Sequence, residues 1–175
     1  MENCPQKWKQ LRDEKIDLGI IGKGFISLYY KEDVINYDIN LLRSKRYNIV
    51  EFDCNDINSD IELHFALQGK QHFLDYMGTT FDALDDCLID YEIDKNGVVI
   101  VFRHLNNLDL KTIHMLLDTM VSHARRKFAV GQKLLILVQV DNPKFKIVEP
   151  IGAVNFYLWN DKERFEGERL YKLQQ

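Results

Sequence analysis

Asp82, Asp85, Asp86 and Asp90 crowd into the ten-residue stretch FDALDDCLID, and from residue 71 to 94 there are seven carboxylates without one Lys or Arg. Carboxylates at this density could ligate a hard cation, exchange protons as an acid–base pair, or meet the cations of another molecule. Their order does not follow the Ca²⁺ loop pattern D-x-[DN]-x-[DN]-G. His64, His72, His104, His114 and His123 are scattered along the chain, and Cys4, Cys54 and Cys87 lack paired spacing, so neither a metal nor a cofactor is expected. No nucleophile comes with a base and an orienting acid, so no catalytic residue is nominated. An encounter with foreign cations is the chemistry that remains.

At 100° per residue Asp82, Asp85, Asp86 and Asp90 share one arc of roughly 140°, with Phe81, Leu84, Cys87 and Leu88 opposite. The apolar side must be buried, so the carboxylates face outward as a set. A charged face that is merely solvated is the plain alternative, and Asp82 fits it, since a carboxylate in a first turn is favoured by the helix dipole. Asp86 does not fit. It stands beside Asp85 and four residues from Asp82, a like-charge spacing that destabilises a helix.

The surrounding pattern predicts what holds this helix. YNIVEFDC (47–54) alternates as a strand, and Ser59 with Glu62 forms a capping box for a helix over about 59–73. Gly78 breaks the chain, and Thr79 with Asp82 offers a second capping signal for the acidic helix to about Ile89. GVVIVFR (97–103) and KLLILVQV (133–140) read as buried strands around a long amphipathic helix closed by Gly131. Strands separated by helices imply an α/β fold with a parallel sheet of three core strands. Three regions follow: an extension over 1–46, a domain over 47–142, and a tail over 143–175 with at least one further strand. In the extension, IDLGII and FISLYY suggest a hairpin about Gly22-Lys23-Gly24, and INLLRSKRY a short helix.

Tyr76-Met77-Gly78 followed by Phe81-Asp82-Ala83-Leu84-Asp85-Asp86-Cys87-Leu88 resembles the barstar family, with its aromatic-Gly turn and Asp-Ala-Leu-x-Asp-x-Leu helix. The order of elements over about 47–140 agrees, and VQVDNP, VEPIGAV and LWND resemble the extension of longer bacterial members. The resemblance implies a barstar-like fold and an inhibitor that plugs the active site of a ribonuclease or toxin nuclease domain. It carries Asp82 and Asp86 to the family's interface aspartates, with Asp86 entering the phosphate site. Tyr76 and Gly78 match the turn beside them, and Tyr91 the aromatic that follows. Thr80, Asp85 and Asp90 complete the expected contact set. Met77, Thr79, Thr80 and Asp85 depart from the family pattern, and Arg125-Arg126-Lys127 stand where barstar contributes an acidic contact. The implied partner is therefore a different enzyme, with a basic cleft and an acidic rim.

Net charge of −4 and a pI near 5.7 argue against direct binding of nucleic acid. No apolar run is long enough for a membrane span, and the start MENCPQKWKQ has no apolar leader segment. The expectation is a reduced, cytoplasmic monomer without enzymatic activity. Two other readings compete: a barstar-fold module for a basic partner that is not a nuclease, and a nucleotide-binding enzyme using Gly22-x-Gly24 as a dinucleotide fingerprint.

Overall fold

The computed structural model describes residues 4–68, 78–153 and 157–170. In chain order the elements are α1 (Cys4–Glu14), α2 (Ile16–Gly22), β1 (Ile26–Tyr29), α3 (Glu32–Ser44), β2 (Asn48–Asp53), α4 (Asp60–Gln68), α5 (Phe81–Asp90), β3 (Val98–Arg103), α6 (Leu110–Ala129), β4 (Leu134–Gln139) and α7 (Gly167–Leu170). The two continuous apolar runs became the central strands, as runs that must be covered on both faces do. All strands are parallel, in the order β1-β4-β3-β2. One transverse row, Val50–Ile100–Ile136–Ile26, crosses the whole sheet in register.

Chain direction sets the layers. From β2 to β3 to β4 the chain steps one way across the sheet, and from β1 to β2 it steps back over the other two strands. Right-handed crossovers then put α4, α5 and α6 on one face and α3 on the other. In agreement, α5 packs on α6, while α2 packs on α3.

The fourth strand comes from residues 1–46, where a hairpin was expected. Ile16 and Ile20 are instead buried one turn apart on α2, and the chain leaves that helix through Gly24 (φ 93°) and Phe25 (φ 70°). β1 pairs with β4, more than a hundred residues away, so local sequence could not show its partner. This also overturns the nucleotide reading: a phosphate-cradling glycine loop runs from strand to helix, and here the glycines run from helix to strand.

Two caps fix the helices near the acidic stretch. Ser59 Oγ accepts from the Glu62 N–H at 3.3 Å, and the Glu62 carboxylate accepts from Asn58 N–H at 2.8 Å. Asp109, not singled out in the sequence, accepts from the N–H groups of Lys111 and Thr112, both at 3.0 Å, and opens α6. Bonds from the Thr112 hydroxyl and these N–H groups hold its carboxyl below the usual carboxylate range.

Among the described residues the tail carries isolated bridge positions, at Ile151 and Trp159, where a further strand was expected. Trp159 lies parallel to Leu28, flanked by Leu28 N–H to Leu158 C=O (2.8 Å) and Asn160 N–H to Leu28 C=O (3.0 Å). It covers the otherwise open edge of β1. The buried Glu163 carboxylate accepts from the Lys31 N–H at 2.7 Å, and its burial pushes the carboxyl upward. Asp38, also buried, binds Arg12 (2.9 Å), the Tyr29 hydroxyl (3.0 Å) and Lys162 (3.0 Å), tying α1, α3, β1 and the tail into one cluster. Ile151 and Trp159 are buried, whereas Val148 and Tyr157 are exposed.

Candidate functional site

The acidic helix begins one residue later than its sequence signal implied. Thr80, not Thr79, is the N-cap, its hydroxyl accepting from the Ala83 N–H at 3.2 Å. Asp82 therefore sits in the second helical position and is free of any capping bond. Thr80, expected to touch a partner, has this structural duty as well. Gly78 is exposed, and a Cβ there would meet Ala83 Cβ at 3.0 Å, so the turn runs close over the helix start. Tyr76 and the end of the preceding predicted helix lie outside the described residues.

The two faces of α5 divide as its periodicity predicts. Leu84, Cys87 and Leu88 are buried, and Phe81, half-buried, meets the His64 ring edge-on at 5.0 Å. Asp82, Asp86 and Asp90 are exposed, and among the described residues none of them has a hydrogen-bond or salt-bridge partner. Spaced four residues apart, they form a row with an axial step of about 6 Å. Ile89, 55% exposed, lies within this row and had not been singled out.

Asp85 and Tyr91 behave differently from the rest of the expected set. Asp85 accepts from Nε2–H of His123 at 2.7 Å, with Arg126 at 3.6 Å. One Nε2 cannot also accept from Arg126 at 3.4 Å, so the short carboxylate contact fixes the tautomer. His123 is 1% exposed, and its burial lowers the imidazole pKa, with Asp85 opposing and Arg126 and Lys127 reinforcing the shift. Asp85 is thus half-buried and committed to the α5–α6 contact. Tyr91 is 2% exposed, so its ring belongs to the core and is not available at the surface, and burial raises its phenol pKa.

The basic run Arg125-Arg126-Lys127 is not a patch. Arg125 donates to the Gly152 carbonyl, which with Gly152 N–H to Asp118 (2.7 Å) pins the tail across α6. Lys127 Nζ donates to the carbonyls of Ile89 (2.8 Å) and Tyr91 (2.9 Å), at the end of α5. Only Arg126 of the three keeps a largely exposed side chain without a backbone bond. The separation was invisible in sequence because each partner lies at least 27 residues away.

Among the described residues no three His, Cys, Asp or Glu side chains gather as a metal site, and no helix is long and apolar enough to cross a membrane. The family model for barstar (barnase inhibitor) matches residues 47–137, a little over half of the chain and all of β2 through the acidic helix into β4. The chain belongs to the barstar family. The matched span holds three of the four strands; α1, α2, β1, α3 and the Trp159 bridge lie outside it. Comparison with curated proteins found no match. Within the barstar-family segment, α5 offers carboxylates on a base of buried Leu84, Cys87 and Leu88, an arrangement suited to ion pairing with another macromolecule.

Proposed function

We propose that this protein is an inhibitor of a ribonuclease, of the toxin-immunity type, which seats α5 in the enzyme's active site. A ribonuclease cleft needs Lys, Arg and His to hold phosphates and move protons, and each is a donor for a carboxylate. The observation that carries the reading is the exposed row Asp82, Asp86 and Asp90, without counter-charge among the described residues and mounted on a buried apolar face. A row of negative charges at near-regular steps imitates the backbone of a nucleic-acid strand. Asp86, at its centre, takes the position of a bound phosphate, with Asp82 and Asp90 on either side and Gly78, Thr80 and Ile89 at the margin. Asp85 acts from behind, through His123, and Tyr91 through the core. Cys54 and Cys87, both buried free thiols, suit a reduced cytoplasm, where the inhibitor would guard the producing cell as a monomer.

The test uses the nuclease encoded beside this chain's gene, or one recovered from the producing strain by pull-down. Stoichiometric loss of RNA cleavage is expected on mixing. By calorimetry Asp86→Ala should lose at least about 2 kcal/mol of binding, as a central buried charge does. Association should slow steeply with salt, because opposite fields steer the encounter. Unchanged affinity for both Asp82→Ala and Asp86→Ala sinks the interface, and a salt-independent on-rate argues for a different, apolar one.

A further inference from the structure

On the face of the sheet away from α5, a cavity of about 500 Å³ opens between α1, α2, β1 and the turn after Trp159. That volume is within the range of small-molecule sites, roughly 300–1,000 Å³. Its walls are apolar and partly uncovered: Trp8 is 68% exposed and Leu18 53%, above buried Ile16 and Ile20. Its polar floor is already satisfied, since Asp38 is bound to Arg12, Lys162 and the Tyr29 hydroxyl. A ligand's polar group would therefore sit at the rim. There Lys23 is paired with Asp161, and Arg12 with Asp13 and Asp38, while the Lys15 ammonium has no partner among the described residues.

Gly19, exposed at the mouth, leaves room beside this wall. It lies in the middle of α2 and lines the cavity, and a Cβ there would meet nothing within 4 Å. Glycine inside a helix is less stable than alanine, so neither helix formation nor packing in the protein accounts for it. A missing side chain at this point keeps the apolar wall accessible from the mouth.

We propose that this cavity binds an amphipathic monocarboxylate, its hydrocarbon chain lying over Gly19 between Trp8 and Leu18 and its carboxylate on Lys15. Burial of the exposed apolar wall drives entry, and the single unpaired cation selects a single anionic head. Nothing in this inference rests on the nuclease reading, because the cavity and the acidic row occupy opposite faces.

The probe is decanoate, titrated into the full chain below its micelle concentration and followed by calorimetry, with decanol as the uncharged control. One saturable site is expected, with decanol at least tenfold weaker. Gly19→Leu, which fills the cavity from a helical position, should weaken decanoate at least tenfold with an unchanged or higher thermal midpoint. Lys15→Gln should weaken decanoate and leave decanol unchanged. The proposal is overturned by no saturable heat, by equal affinity for decanol, or by Gly19→Leu binding as well as wild type. It is equally overturned by nuclear Overhauser contacts from Trp8 to residues 171–175, or by a dimer in sedimentation that buries Trp8, since either supplies a different occupant.

Discussion

Asp86→Ala should make the isolated protein more stable while it weakens binding. In α5 Asp86 faces Asp82 and Asp90 at four-residue spacing on either side, and each like-charge pair of this kind costs about 0.2–0.5 kcal/mol. Alanine also exceeds aspartate in helix propensity by as much as about 0.7 kcal/mol. No hydrogen bond or ion pair of Asp86 among the described residues stands against these gains, and its side chain is exposed. The net expectation is a stabilisation of about 1 kcal/mol at low salt, or about 2–4 °C in a protein of this size. In 1 M salt, where the Debye length is about 3 Å, the repulsive part should vanish and roughly half of the gain remain. Urea unfolding followed by circular dichroism at both ionic strengths measures this directly. A loss of more than about 1 kcal/mol for Asp86→Ala refutes the reasoning, because it would mean that Asp86 already serves the fold. The opposite signs of the two effects are the signature of a residue kept for a partner at the expense of the free state.

Two further outcomes follow from contacts away from the acidic row. His123, neutral and buried, has its folded pKa held below the unfolded value near 6.5, so its contribution is present above that value and is lost as pH falls. Unfolding free energy should therefore drop between pH 7 and pH 5, and His123→Gln should flatten that slope; equal slopes for the two proteins would remove His123 as its source. Trp159→Ala should cost about 3–5 kcal/mol and leave the β1 edge open to self-association. Urea unfolding with light scattering tests it, and a loss under about 1 kcal/mol without association would refute the role of the bridge.

Elements whose signal was local were legible in the sequence. The apolar runs at 98–103 and 134–139, the alternation at 48–53 and the stripe of α6 each gave type and place, and α5 showed its two faces by period alone. What failed depended on distance. FISLYY reads as a strand, but nothing near it says that its neighbour is β4 rather than IDLGII. Two adjacent threonines offered the same cap chemistry, and the fold uses Thr80. At the site, Asp85 was indistinguishable from Asp86 by charge and spacing, and differs only because His123, 38 residues on, reaches it. The run Arg125-Arg126-Lys127 likewise reads as one patch until the fold sends its first and last members to separate carbonyls.

The bond from Lys127 to the last carbonyls of α5 has a consequence for how fast and how tightly this surface can be engaged. A helix end normally frays, and a partner would have to immobilise backbone as well as side chains on docking. Here the same ammonium clasps Ile89 and Tyr91, just at the end that Asp90 would otherwise loosen by setting a negative charge against the helix dipole. Aspartate, with a shorter stem than glutamate, has fewer rotamers to lose. Association would then surrender little backbone entropy at this end of the helix, leaving the ordering of the side chains as the cost on this side.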